Sequence, residues 1–405
     1  MHSEYVIVGA GQAGRRAAEA LRELAPQARI CLIGDEPHLP YDRPALSKDV
    51  LNGIEGERNL FIQDGAYYAG LGIELRLGVR VVGIDRQQQC LLFDNAPPLA
   101  YTKLLLTTGS RARHYTGPGA DAVKIHYLRS IEDARSLRNT LRPGCRVAVL
   151  GGGFIGLEVA AAARGLDCTV DVIEAASGLL RRSMPAQVGD YMVALHRRQG
   201  VTVHLACQVL GIVKGPENSM ILRTSAGDIE ADILVAGIGA QPNVELAQQA
   251  GLAVENGIRV DSGCRTSDPH IFAAGDVTNH FNPVLGLPLR VESWQVAENQ
   301  PLIAATNMLG GSAEYGEQPW LWSDQYACNV QTLGLFQGDG PLLCRGDPGT
   351  DVFSVLQLDA KGRLQAAATV NNSRDMAVFK RLAAQGRGLD CTRLVDPGVA
   401  LRDLL

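Results

Sequence analysis

Two stretches of this chain read as the same device. In the first, Val6, Ile7 and Val8 form a β-branched run leading into Gly9, Gly11 and Gly14, with Ala13 inside the motif and an alanine-rich segment behind it. In the second, Arg146–Leu150 leads into Gly151, Gly153 and Gly156, followed by a segment that carries Glu158. Each is a strand, a G-x-G-x-x-G turn and a helix. The first glycine allows a tight turn, the second lets backbone approach a pyrophosphate, and the third lets the helix pack on the strand, with free N–H groups facing the anion. About twenty residues further on, a dinucleotide-binding unit needs a carboxylate at a strand end to hold the adenosine ribose. A strand over 29–34 ends there at Asp35-Glu36, with Asp35 the first choice and Glu36 the reserve, and the strand Thr169–Ile173 ends at Glu174. Two complete copies imply two dinucleotides in two separate domains, one a tightly held flavin and the other an exchangeable nicotinamide.

The nicotinamide can be argued from charge. Glu174 accepts from a ribose 2′-hydroxyl and repels a 2′-phosphate, and Ala175, Ala176 and Ser177 place no arginine beside it, which favours NADH; Arg181 and Arg182, further along, weaken that preference if their loop folds back.

With 405 residues the chain is long enough for two or three domains, and its 45 glycines suit many tight turns. A net charge of −5 argues against nucleic acid as a partner. No segment approaches the ~18 apolar residues of a membrane span, and the first strand begins too early to leave room for a signal peptide, so a cytoplasmic protein is expected. The nine cysteines are scattered, without C-x-x-C, and the eight histidines are equally dispersed. They read as reduced core thiols and ordinary histidines, with no metal site and no disulfide.

Between the two motifs, the proline-rich stretch 37–48 excludes regular helix before Ala45, and a long irregular segment behind a nucleotide-binding unit is more often functional than idle. A strand over 103–107 ends in Thr107, Thr108 and Gly109, suited to close passage of backbone beside a flat ligand. A later strand ends at Gly237 and Gly239, consistent with backbone facing a nicotinamide. Another ends at Gly275-Asp276, where Asp276 can bond a ribityl chain while a helix starting near Glu292 presents its N–H groups to a flavin ring. From about Gly316 the chain changes to strands over 329–336, 351–358 and Leu364–Val370 and a helix over 375–385, an α+β domain. Trp320 and Trp322, two of three tryptophans, stand at its entrance, where core packing and a face against the flavin are equally open.

Together, Pro40-Tyr41-Asp42-Arg43-Pro44-Ala45-Leu46-Ser47-Lys48, the 151–158 turn, Phe272–Asp276 and Trp322-Ser323-Asp324-Gln325 resemble the FAD-dependent NADH:ferredoxin reductases that serve aromatic-ring dioxygenases and bacterial cytochromes P450, within the glutathione-reductase-like flavoproteins. The likeness covers essentially the whole chain; Ala45 departs mildly, since many relatives have proline there. It implies an α/β protein with two Rossmann-like domains, an FAD domain over 1–112 and 245–315 and an NADH domain over 113–244, followed by a C-terminal α+β domain over 316–405. Asp35 and Arg43 would hold the adenosine half of FAD, with Gly9, Gly11, Ala13, Gly14, Val81, Thr108, Gly109, Arg129, Gly275 and Asp276 lining the rest. Gly151, Gly153, Phe154, Ile155, Gly156, Glu174 and Gly237 would hold NADH, Phe154 standing where wider relatives shield the flavin. Lys48 would stand near flavin N5 and pair with Glu158, whose carboxylate faces the nicotinamide amide, while Glu292, Ser293, Trp294 and Trp322 border the rings.

Hydride transfer needs stacked rings and excluded water rather than an acid–base triad, so Lys48 serves by charge, where the reduced flavin becomes anionic. Disulfide reductases and NADH peroxidases of this fold need cysteine beside the flavin; here the corresponding loop holds Arg43 and Ser47. Electrons must then leave directly to an external protein. The resemblance makes that acceptor a 2Fe-2S ferredoxin feeding an oxygenase, and the chain a monomer or weak homodimer without nucleic-acid or membrane partners. Arg290 is a candidate contact for an acidic ferredoxin. The alternatives are a rubredoxin reductase and an apoptosis-inducing-factor-like NADH-sensing flavoprotein; the second calls for a targeting segment and basic surface that the sequence does not display.

Overall fold

The structure, a computed structural model, describes residues 2–53, 60–338 and 340–405. The chain forms two compact units, each assembled from three stretches of sequence. The first comprises Met1–Pro44, Gly56–Arg111 and Ala240–Pro319. At the centre of its main sheet, β1 (His2–Val8) pairs in parallel with β2 (Ile30–Ile33) on one side and with Leu99–Leu106 on the other. Ile73–Arg76 continues the sheet in parallel beyond β2, Ile271–Ala273 pairs in parallel with Leu99–Leu106, and Cys90–Phe93 and Val81–Asp85 add an antiparallel edge.

Alternation along β1 divides this unit's interior. Val6 and Val8 point into one core with Leu104, Leu106 and Ile271, while Ile7 points into another with Ala17, Ala18, Leu21 and Ala304, as the two-residue repeat of a strand requires. Helix α1 (Gln12–Leu24) therefore meets the sheet and the helix Trp294–Met308 through small residues: Ala17, Ala18, Ala304 and Ala305 are all fully buried.

The second unit comprises Ala45–Glu55, Ala112–Gly239 and Trp320–Leu405. Its parallel sheet runs Val201–His204, β4 (Thr169–Ile173), β3 (Arg146–Leu150), Ile233–Ala236 and Ile125–His126. Helix α2 (Phe154–Gly165) follows β3, and α3 (Ala186–Arg198) precedes the strand Val201–His204. A three-stranded antiparallel sheet spans Val209–Ala231. The C-terminal portion is a five-stranded antiparallel sheet that opens with β5 (Trp320–Gln325) and is packed by the helix Ser373–Gln385 through Met376, Phe379 and Leu382. Of the strands expected there, Leu364–Val370 falls as read, the other two become Cys328–Gly334 and Phe353–Leu358, and Leu342–Gly346 is additional. The stretch after Pro40 is irregular until a 3-10 turn over Arg43–Ser47, two residues earlier than Ala45; Pro44 sits in its first turn, where a missing N–H costs nothing.

These features make an α/β protein with two Rossmann-like nucleotide folds and a C-terminal α+β portion. Among the described residues, no helix is long and apolar enough to cross a membrane and no His, Cys, Asp and Glu cluster could hold a metal.

Candidate functional site

The two glycine turns are built alike. Gly9 has φ +116° and Gly151 φ +99°, conformations that only glycine adopts without strain. A Cβ on Gly9 would lie 2.2 Å from the Thr107 carbonyl oxygen, and one on Gly151 would lie 2.5 Å from that of Gly237. The third glycines are equally constrained, since a Cβ on Gly14 or Gly156 would stand 1.9 or 2.2 Å from the carbonyl oxygen of the first glycine of its own turn. Gly237 also keeps α2 close, because its Cβ would meet Gly156 N at 3.0 Å.

The middle glycines differ in kind: they face space. Nothing lies within 4 Å of a Cβ on Gly153, and the nearest atoms to one on Gly11 are those of the Arg43 guanidinium, at 4.0 Å. Gly11 and Gly153 are the N-cap residues of α1 and α2; neither cap makes a side-chain hydrogen bond, and neither first turn contains an acid. Helix-start N–H groups therefore face open approaches, a donor set that fits a pyrophosphate. Phe154 is half-buried and Ile155 exposed at the start of α2.

In the first unit a cation stands at the rim of this cradle. Arg43 donates to Glu36 Oε1 at 2.7 Å and to the Tyr41 hydroxyl at 2.9 Å, and that hydroxyl donates to Glu36 Oε2 at 2.7 Å. Burial opposes the charge on Glu36, yet Arg43 and Tyr41 hold its carboxyl below the ordinary range. Glu36 is thus committed to fixing Arg43, while Asp35 is exposed beyond the end of β2. Ala13 meets Gly275 at the far side of the turn, where a Cβ on Gly275, at φ +84°, would stand 3.0 Å from Ala13 Cβ. The neighbouring Asp276 accepts from Ser110 Oγ at 3.2 Å. Thr108 and Gly109 secure the chain itself, Thr108 Oγ1 donating to Asn243 O at 2.7 Å and Gly109 O accepting from Asn243 N–H at 3.0 Å. Val81 is buried in a sheet core.

Ser293, Trp294 and Glu292 gather at the start of the helix Trp294–Met308. Ser293 caps it by accepting from Val296 N–H at 3.2 Å, so one of the helix-start donors is already satisfied. Glu292 pairs with Arg290, which also reaches Asn256; that arginine is tied within the chain. Trp294 is exposed.

In the second unit Glu174 closes the other cradle. Its carboxylate accepts from Gly152 N–H and from Ala176 N–H, each at 2.6 Å, which leaves acceptor capacity for hydroxyls. Arg129 lies in this unit, its N–H donating to Asp133 at 3.1 Å beside a capping box made with Ser130. Trp322 stacks on Trp320 with ring centroids 4.9 Å apart, and Lys380 covers the Trp320 ring.

Glu158, only 4% exposed, is a buried acid of the second unit with three partners. Ser47 Oγ donates to its Oε2, Ser323 Oγ donates to Oε1 at 2.5 Å, and Lys48 Nζ lies 3.3 Å from Oε1. A buried carboxylate needs this number of donors and a cation to remain charged. The Lys48–Glu158 pair was legible in the motifs; Ser47 and Ser323 as its further donors were not, although Ser323 and Gln325 alternate on β5 as two polar residues on one buried face.

The family model for pyridine nucleotide-disulphide oxidoreductases matches residues 3–300, and a reductase C-terminal model matches 320–405. The chain belongs to the pyridine nucleotide-disulphide oxidoreductase family. It is 53% identical over 401 residues, 99% of each chain, to the ferredoxin–NAD(+) reductase component of an anthranilate 1,2-dioxygenase system from Burkholderia cepacia. The corresponding component of a p-cumate 2,3-dioxygenase system from Pseudomonas putida is 39% identical, covering 99% of this chain and 98% of the other. Among solved structures, a covalent putidaredoxin reductase–putidaredoxin complex contains a chain that is similar with a TM-score of 0.94 and 33% identity, over 99% of this chain and 98% of the other. Six of its nine thiols are buried, Cys145 and Cys344 are partly buried and Cys391 is exposed. All nine are free, and burial pushes Cys31 up to about 12 and Cys264 higher still, so neither offers a thiolate.

Proposed function

We propose that this chain is the NADH:ferredoxin reductase of an oxygenase system, taking two electrons from NADH onto FAD and passing them singly to a 2Fe-2S ferredoxin. The observation that carries this is the pair of matched glycine cradles in a protein whose irregular segment after the first cradle offers Ser47 and Lys48 in place of a cysteine. FAD supplies the step that converts a hydride into single electrons. The chain's part is to bind and to bias. Gly9, Gly11, Gly14, Arg43, Asp35 and Asp276 hold FAD; Gly151, Gly153, Gly156 and Glu174 hold NADH and disfavour a 2′-phosphate; Glu158 orients the nicotinamide amide; and Lys48, fixed by Glu158, supplies positive charge to the reduced flavin.

We assign 1–112 and 245–315 to FAD, 113–244 to NADH and 316–405 to a C-terminal domain, and we place the enzyme in the cytoplasm as a monomer or weak homodimer. The test is NADH-dependent reduction of cytochrome c by the purified yellow protein, alone and with added 2Fe-2S ferredoxin or rubredoxin. Turnover that depends on ferredoxin supports the reading. Dependence on rubredoxin alone would reassign the acceptor, and poor turnover with both would favour a sensor.

A further inference from the structure

Behind Glu158 lies a line of buried polar side chains that hydride transfer does not call for. Ser323 and Gln325 share one face of β5, and both are buried, at 0% and 2% exposure. Gln325 Nε2 lies 3.0 Å from Ser323 Oγ, and its Oε1 lies 2.8 Å from Nε2 of His196, a fully buried residue of α3. His196 Nδ1 lies 3.2 Å from the Tyr326 hydroxyl, whose ring packs edge-on against the imidazole.

The carboxylate at one end sets every direction along this line. Ser323 has one proton, and it goes to Glu158 Oε1. Ser323 Oγ must then accept from the Gln325 amide nitrogen, which turns the Gln325 oxygen toward His196 as an acceptor. His196 therefore carries its proton on Nε2, leaving Nδ1 to accept from Tyr326. Burial favours these same states, lowering the pKa of His196 and pushing Tyr326 up to about 12.

The backbone at the far end supports the same conclusion. Tyr326 follows Gln325 in the tight turn that pairs Gln325 with Cys328, and it has φ +55°, a conformation unfavourable for a bulky side chain and usually filled by glycine or asparagine. A tyrosine held there places its hydroxyl on His196.

We propose that His196 and Gln325 are positioning residues for Glu158, holding the Ser323 hydroxyl on Oε1 so that the carboxylate keeps one orientation toward the nicotinamide amide. This rests on the reading of Glu158 as the group that meets the nicotinamide. Small displacements of an orienting group are expensive in rate and binding, so loss of the line is expected to raise KM for NADH about 10-fold while FAD is retained.

Two measurements on the FAD-loaded full chain test it. With 15N-histidine label, the His196 ring, assigned by its disappearance in His196→Gln, should be a neutral Nε2–H tautomer at neutral pH; an Nδ1–H tautomer or an imidazolium would overturn the proposal. In steady-state kinetics, His196→Leu should raise KM for NADH, and His196→Gln, which keeps a donor at that place, should restore it. If His196→Leu does not fold, Gln325→Met, which removes the donor to Ser323 at similar volume, should raise KM for NADH likewise. An unchanged KM in the donor-less variants refutes the positioning role. If Glu158→Gln also leaves KM unchanged, the reading of Glu158 fails with it, whereas a large effect there alone removes only His196 and Gln325.

Discussion

Arg43 Nη2 stands 2.7 Å from Glu36 Oε1, and the same guanidinium is the nearest group to the open face of Gly11. An acid next to the site is thus used to aim a cation at it. Arg43→Met should weaken FAD retention by on the order of 10-fold or more, the scale of one charge-assisted hydrogen bond. Glu36→Gln should weaken it less, because Tyr41 still supports the guanidinium. Titration of apoprotein with FAD, followed by flavin fluorescence, measures both.

The second cradle separates folding from binding. Gly156→Ala forces a Cβ against the Gly151 carbonyl and should prevent α2 from seating, visible as a lost or strongly lowered melting transition. Gly153→Ala meets no protein atom within 4 Å, so the variant should melt like the parent yet show a raised KM for NADH. Similar melting losses in both would mean the middle glycine serves packing alone.

Glu174→Ala removes the charge opposed to a 2′-phosphate and the acceptor for Gly152 N–H. The ratio of kcat/KM for NADPH to that for NADH should rise about 10-fold, chiefly because NADPH improves. A constant ratio would leave Glu174 only the task of clasping the turn.

Lys48→Ala should slow reduction of bound FAD by NADH about 100-fold or more, the usual size of an electrostatic contribution in a dry site, without loss of yellow colour. Stopped-flow absorbance separates the two. Unchanged reduction would make Lys48 a partner for Glu158 and nothing more.

Acid stability has a specific sensor. His280 is 1% exposed, packs edge-on against Tyr315, and burial lowers its pKa from 6.5 to about 4. The folded protein keeps it neutral while the unfolded chain protonates, so its contribution is complete above pH 6.5 and disappears as pH falls toward 4. That amounts to about 3 kcal/mol. Melting temperatures from pH 7 to pH 4 should fall less steeply in His280→Leu.

Much of this was legible in the chain because glycines with positive φ leave a local signature. Gly9 and Gly151 announce their turns, and the β-branched runs before them announce buried strands. The Lys48–Glu158 pair was legible only through the family motifs, since 110 positions separate the partners. Ser47 and Gln325 stand inside the family motifs, but their partners, like the role of His196, come from tertiary contacts: a histidine on an amphipathic helix looks the same whether it caps a network or fills a core. Spacing along a loop does not say which of two adjacent acids turns toward Arg43, and Glu36 is the one that does.

One difference between the otherwise equivalent turns has a kinetic consequence. The rim of Gly11 carries a fixed guanidinium and that of Gly153 faces empty space. On the proposed reading, a nucleotide leaving the first would break a charge-assisted contact that the second rim does not supply. On that reading Arg43, outside the shared motif, would lengthen the stay of the first nucleotide relative to the second, and transplanting a cation to the second rim should turn a visiting coenzyme into a lodged one.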